Sequence, residues 1–233
     1  ILIKEIAAAI PSTITYEIIV VDDHSKDKTW GILTAMCAQY PNLRLLQHQT
    51  NCGQSAAVIT GVKAARYDWI ATLDGDGQND PKDIPKLIQT LRRQPDEQPY
   101  VIAGHRVTRK DTFIKKMSSR VANKVRGRIL KDDCPDTGCG IKLFPRDLFL
   151  ALPHFNHIHR FIPAMFQSLN VKTINVAVNH RQREFGRSKY GLNNRLWVGI
   201  SDMLGVIWLK KRHCHALEVV EHAPAKESAE TIS

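Results

Sequence analysis

Short runs of β-branched and aliphatic residues alternate with segments of helical rhythm through the first 130 residues. The pairs are Glu17–Val21 then Thr29–Gln39, Leu43–Gln47 then Ser55–Ala65, Trp69–Leu73 then Pro81–Arg92, and Tyr100–Ala103 then Ile114–Leu130. A strand that feeds a crossover helix returns beside itself in the same direction, so this order predicts an α/β fold with a mostly parallel central sheet and helices on both faces. In such sheets ligands settle at the carboxyl ends of the strands. Two of these ends carry paired carboxylates, Asp22/Asp23 and Asp74/Asp76, and the two tips are expected to be neighbours.

The sharper of the two is Leu73-Asp74-Gly-Asp76-Gly-Gln78, where an apolar run stops in two carboxylates separated by one glycine. The flexible Gly75 lets both turn toward one point, which suits a hard divalent cation held by oxygen. A polar turn after a strand is the plainer alternative. A calcium loop is excluded by spacing, since its sixth and twelfth positions would be Asn79 and Pro85. The chain has no P-loop lysine motif, and no dinucleotide glycine triad follows a strand.

Thirty-three Lys and Arg against 23 Asp and Glu leave a formal charge of +10 on 233 residues, pointing to a polyanionic partner: nucleotide, nucleic acid or anionic membrane. At 43% hydrophobic the chain buries a substantial core. Its five cysteines form no secreted framework, and a reducing cytosol fits them best. Cys134 and Cys139 lack the C-x2-C spacing of zinc sites, and His213 and His215 are far away in sequence. The opening Ile-Leu-Ile-Lys-Glu lacks methionine and is already in helical rhythm, so the start reads as cut off.

After Arg128 the pattern becomes irregular through Asp132–Gly140, followed by a strand at Ile141–Phe144, a helix at Arg160–Ser168 and a strand at Val171–Val178. A cationic loop, Asn179–Lys189, leads to an apolar helix at Leu196–Leu209 capped by Lys210-Lys-Arg-His. That helix is too short to span a membrane and contains Asp202. We expect one globular domain over residues 1–190, an amphipathic helical segment over 191–212 and a flexible tail over 213–233. Ser25 or Asp27 is a natural N-cap for the helix that follows. Ala57 and Gly61 suit close helix–sheet packing, whereas Asn51 and Gly53 are candidates for shaping a nucleotide pocket. Within Lys115–Leu130, Met117, Val121 and Val125 form an apolar stripe beside Arg120, Lys124 and Arg128, as in helices lying on anionic membranes or packed on a core.

Taken in order, VDDHSKDKT (22–29 with the preceding Val21), NCGQSAAVITG (51–61), LDGDGQNDP (73–81), GHR (104–106), DTGCGIKLF (136–144), HRFIP (159–163) and REFGRSKYG (183–191) resemble the family 2 glycosyltransferases of GT-A fold. Within them they resemble the polyprenyl-phosphate sugar transferases typified by dolichol-phosphate mannosyltransferase. The resemblance runs from Ile1 to about Gly205. It implies an inverting, metal-dependent transfer of a sugar from a nucleoside-diphosphate donor, GDP-mannose or a UDP-sugar, to polyprenyl phosphate. Asp74, Asp76 and Gln78 would hold Mg²⁺ or Mn²⁺. Asp22, Asp23, Asn51, Gly53, Asp74 and Gln78 would bind the nucleotide sugar. Arg106, Arg120, Arg181, Arg183, Ser188 and Lys189 would bind acceptor and diphosphate, since arginine's planar fork suits phosphate. Asp136, Arg106 and Arg120 are the catalytic candidates, with Asp136 as positioning group or weak base.

The family's first strand and Pro-x-Tyr/Phe-Asn-Glu element do not occur in the sequence, nor does the pair of C-terminal membrane helices that some members carry. Attachment to the cytoplasmic face of an anionic membrane is therefore expected to be peripheral or through an integral membrane partner. Two other readings compete: a sugar-phosphate nucleotidyltransferase, whose glycine-rich loop near the start is not seen, and a basic nucleic-acid-binding module, whose strand-tip carboxylates would repel a phosphate backbone. No nucleic-acid partner is expected.

Overall fold

The computed structural model describes residues 1–95, 97–107, 127, 129–130, 132–181 and 192–212. The predicted helix Ile114–Leu130 and its two stripes fall mostly outside the described residues, as do Arg120, Arg183, Ser188 and Lys189.

The described elements run α1 (Leu2–Ala9), β1 (Ile18–Asp22), α2 (Thr29–Cys37), β2 (Leu43–Gln47), α3 (Gln54–Ala64), β3 (Trp69–Thr72), a 3₁₀ turn at Pro81–Asp83, α4 (Ile84–Arg92), β4 (Tyr100–Arg106), β5 (Lys142–Pro145), α5 (Arg146–Leu150), α6 (Ile158–Gln167), β6 (Lys172–Val178) and α7 (Leu192–Arg212). Strands β1 and β2 pair in parallel, Ile18 opposite Leu43 through Asp22 opposite Gln47. The other four form a sheet in the order β3-β5-β4-β6.

That sheet is more mixed than helix crossovers imply. Strand β6 lies parallel to β4, but β5 runs antiparallel to both β3 and β4. The strand wedged between them therefore brings its amino end to the carboxyl tips of β3 and β4, with Lys142 opposite Thr72 on one side and Ala103 on the other. Consequently the loop before β5 meets the two tips where ligands are expected. The pairing of β4 with β6 extends β4 beyond the expected Ala103 to Arg106, which stands opposite Val178.

The pleat sorts the core. Val101 and Phe144 point into one apolar layer with Phe149, Ile162 and Phe166, while their neighbours Ile102 and Leu143 point into the other with Ile84, Leu87 and Val178. Helices α3, α5, α6 and α7 contribute to the first layer and α4 to the second. A third cluster, Ile3, Ile18 and Leu43, fixes α1 and α2 on the β1–β2 pair.

Helix α7 is fastened by the fully buried Val206 and by Lys210 Nζ donating to the Leu130 carbonyl at 2.5 Å and Gln167 Oε1 at 2.6 Å. Its other side leaves Leu204 and Trp208 more than half exposed. No helix among the described residues is long and apolar enough to cross a membrane.

The first layer centres on Phe144, wholly buried, with its ring centroid 5.1 Å from Phe149 and 5.8 Å from Phe166. Phe144→Ala should cost about 3–5 kcal/mol in denaturant unfolding, from lost transfer energy plus the cavity left behind. A loss below about 1 kcal/mol would show that the layer closes over the gap.

Candidate active site

The N-terminal turn of α3 is built around one carboxylate. Asp23 Oδ1 accepts the Cys52 amide at 2.8 Å, and Oδ2 accepts the Gly53 amide at 2.7 Å. His48 Nδ1 stands 2.8 Å from Oδ1, and Asn51 Nδ2 donates to the Asp23 carbonyl at 3.0 Å. Gly53 caps the helix at φ 87°, a backbone conformation that glycine reaches without strain, and its amide can then face the aspartate. Burial opposes the charged form of Asp23, but His48 and the two amides together hold its carboxyl below the ordinary aspartate range. Asp22 is buried, its Oδ2 accepting from Gln47 Nε2 at 3.0 Å and the Ser25 amide at 3.3 Å, and its carboxyl is likewise lowered against the cost of burial. Besides its expected place as a nucleoside contact, Asp23 uses both oxygens to shape the Asn51–Gly53 loop. At the next helix, Asp27 Oδ1 accepts the Thr29 amide at 2.9 Å, as a capping residue does.

Among the described residues the strand tips themselves are not hydrogen-bonded neighbours, because β1 pairs with β2 and β3 with β5. Helix α3 joins them instead. One residue past Gly53, Gln54 Nε2 donates to Asp74 Oδ1 at 2.7 Å. Three consecutive residues thus hold a carboxylate of each acidic pair. Helix α3 is tied in turn to α6 by Ser55 Oγ, 2.8 Å from His159 Nδ1. Burial, with Arg160, Lys142 and His157 adding repulsion, depresses His159 to about 3, so its ring is neutral near pH 7.

The acidic loop is closed by Asn79 Oδ1 accepting the Asp74 amide at 3.1 Å and by Asp76 Oδ1 accepting the Gln78 amide at 3.1 Å, with Gly77 at φ 74°. Asp74 is raised in pKa: burial contributes most and the neighbouring Asp76 adds, while Lys142 and Arg106 oppose. Beyond β6, a bridge between Asn79 and His180 brings His180 Nε2 to 3.5 Å from Gln78 Nε2. The donor set fits a divalent cation: two carboxylates whose mutual repulsion such an ion relieves, a side-chain amide, and an imidazole at the same edge. Gly140 strengthens the fit, since a Cβ there would overlap the Asp74 carboxylate and Asn79 Oδ1.

Arg106 and Asp136 form a forked pair, Nε to Oδ2 at 2.6 Å and Nη2 to Oδ1 at 2.7 Å, with the Arg106 amide also on Oδ2 at 3.2 Å. Both groups are mostly buried. Burial works against the guanidinium, but Asp136 more than offsets it and raises its pKa. A carboxylate held on both oxygens orients the arginine better than it accepts a proton. Arg181, expected as an acceptor ligand, has two acidic partners in this structure. Its guanidinium is engaged by Glu5 at 2.7 Å and Asp80 at 2.6 Å, so it pins α1 to the acidic loop.

Residues 2–152 match the family model described as glycosyl transferase family 2. The chain belongs to glycosyl transferase family 2. Among curated family relatives, the dodecaprenyl-phosphate galacturonate synthase of Rhizobium johnstonii is 36% identical over 215 residues, which are 90% of this chain and 62% of that protein. The undecaprenyl-phosphate 4-deoxy-4-formamido-L-arabinose transferase of Sodalis glossinidius is 33% identical over 81% of this chain and 57% of its own length. The chain thus spans about three fifths of the length of these relatives. The GT-A fold is shared with glucosyl-3-phosphoglycerate synthase of Mycobacterium tuberculosis, solved with Mn²⁺, UDP-glucose and phosphoglyceric acid, at TM-score 0.61 and 15% identity over 90% of this chain and 73% of that one.

Four residues were given no role from the sequence: Gln54 and Lys142, which lie inside the NCGQSAAVITG and DTGCGIKLF motifs, and His48 and His180, which lie outside every motif.

Two outcomes follow. Asp23→Ala should destabilise the protein by about 2 kcal/mol at neutral pH, through lost charge-assisted bonds to two amides. Because its folded pKa is depressed, that stability is present above the ordinary aspartate value of 3.8 and is lost as pH falls through the folded value, so the two proteins should converge in acid. A gap that persists in strong acid would rule out the charged clamp. Gly140→Ala should weaken Mn²⁺ binding about 10–100-fold in calorimetric titration, by displacing the Asp74 carboxylate. Unchanged affinity would remove Asp74 from the metal site.

Proposed function

We propose that this protein transfers a sugar from a nucleoside diphosphate to a polyprenyl phosphate, with inversion at the anomeric carbon, at the cytoplasmic face of a membrane. The observation that carries the reading is the α3 turn, which links the Asn51–Gly53 loop to Asp74 through Gln54 and so aligns a nucleoside subsite with a diphosphate subsite. The names of relatives 33–36% identical across more than four fifths of the chain support polyprenyl phosphate as acceptor.

In this reading Asp74, Asp76 and Gln78 hold Mg²⁺ or Mn²⁺, with His180 beside them. A divalent ion, when bound, supplies Lewis-acid neutralisation of the leaving diphosphate. Arg106, kept charged and aimed by Asp136, receives an anionic oxygen of donor or acceptor. Arg183, Ser188 and Lys189, within the REFGRSKYG motif, and Arg120 outside the motifs would add phosphate contacts. A phosphate monoester with a second pKa of about 6 is mostly dianionic at neutral pH, so attack on the anomeric carbon needs little help from a general base. Orientation and charge balance are what the protein must contribute. Peripheral attachment is supported by the exposed Leu204 and Trp208 of α7 with the exposed Lys211 and Arg212 at its end. Residues 1–190 would then form the transferase domain, 191–212 the interfacial helix and 213–233 a tail.

The test is release of GDP or UDP from a panel of nucleotide sugars with Mg²⁺ or Mn²⁺, with and without polyprenyl phosphate. The reading requires lipid-dependent release from one donor, lowered at least about 100-fold by Asp76→Asn in a folded protein. Release indifferent to the lipid, or full activity of the variant, would contradict it.

A further inference from the structure

Lys142 is 3% exposed, and a lysine is seldom buried without a compensating arrangement around its ammonium. It opens β5 at the point where that strand is flanked by the two strands leading to the site, opposite Thr72 two residues before Asp74 and opposite Ala103 three residues before Arg106. Its Nζ donates to the carbonyls of Thr137, at 3.3 Å, and Cys139. Those carbonyls belong to the turn Asp136–Gly140, which the Cys139 amide closes on the Asp136 carbonyl at 3.2 Å.

That turn touches both halves of the diphosphate subsite. At one end Asp136 grips Arg106, and a Cβ on Gly138 would stand 3.2 Å from Arg106 Nη2. At the other, Gly140 lies against the Asp74 carboxylate, and its carbonyl accepts Thr72 Oγ1 at 2.7 Å. Anchoring one turn therefore fixes an arginine and a metal-binding carboxylate relative to each other. Burial works against the ammonium and leaves its pKa lowered, with Asp74 and Asp136 on either side of the turn offsetting only part of that cost.

We propose that Lys142 is a positioning residue for the diphosphate–metal subsite, stapling the Asp136–Gly140 turn so that Arg106 and Asp74 are held in register. It touches neither substrate nor metal, and it acts through the turn. The proposal rests on the functional reading above and adds to it a residue on a buried strand.

The experiment compares wild type and Lys142→Met, which keeps length and apolar volume, in titrations with Mn²⁺ plus UDP or GDP and, separately, with uridine or guanosine alone. Circular dichroism and thermal melting establish folding. Leaving two buried carbonyls without their donor should weaken the Mn²⁺–nucleoside diphosphate complex at least about tenfold. Nucleoside affinity should stay within about twofold, since the Asn51–Gly53 loop is held by Asp23 on a different sheet. A purely structural lysine would move both affinities or neither, and either result overturns the proposal. Should Lys142→Met not fold, Thr72→Val, which removes the bond to the Gly140 carbonyl at the other end of the turn, must show the same selective loss; wild-type binding by that variant also overturns it. A wild type that binds neither nucleotide with Mn²⁺ sinks the functional reading and this inference together, whereas intact wild-type binding with an indifferent Lys142→Met sinks the inference alone.

Discussion

A single hydrogen-bonded turn at the start of α3 holds the two acidic strand ends together. The sheet does not join them, because β1 is paired with β2 and β3 with β5 among the described residues. The join is made by the amides of Cys52 and Gly53 on Asp23 and by the side chain of Gln54 on Asp74. Helix N-termini carry unsatisfied amides and partial positive charge, so a carboxylate docked there is stabilised in its ionised form. With Asp23 satisfying those amides, the turn is rigid before any ligand arrives. The cost of organising the proposed nucleoside subsite is then met during folding rather than at binding.

A second turn, Asp136–Gly140, works on the opposite side of Asp74. It reaches the β3 and β4 tips because β5 is antiparallel to both, which carries the residues preceding it to the ends where those strands stop. Two glycines in this turn let backbone approach a carboxylate and a guanidinium more closely than any side chain would permit. Charges here are balanced in layers: Arg106 by Asp136, Asp74 against Asp76, and Lys142 beneath. In a partly desolvated setting such alternation avoids the penalty of an isolated charge and still leaves an acidic loop able to attract a cation.

The sequence was most legible where periodicity is strong. Leu43–Gln47 is a strand with the expected bounds, the helices after β1 and β2 start within a residue of expectation, and the one after β3 begins at Ile84 because a 3₁₀ turn takes its first three residues. Strand direction was not legible for β5, since an antiparallel entry and a crossover leave the same short apolar run. Motif order was sufficient to identify the family. It did not report what each side chain is already bonded to. Asp23 and Arg181 look like ligand-binding groups in one dimension, and three dimensions add internal partners that spacing did not show: Cys52, Gly53 and His48 for the first, Glu5 and Asp80 for the second. Gln54 and His180 carry no spacing signal, because their partners lie 20 and 102 residues away.

The claim on which the account turns is that the acidic loop, and not the Asp23–His48–Cys52 cluster, receives the metal, although those three side chains also bring their donor atoms within 4.8 Å of one another. Anomalous diffraction from crystals grown with Mn²⁺ and a nucleoside diphosphate tests this directly. The account predicts a manganese peak bounded by Asp74 and Asp76, with a diphosphate oxygen within reach of Arg106. A peak at Asp23, His48 and Cys52 with the acidic loop bare would contradict it.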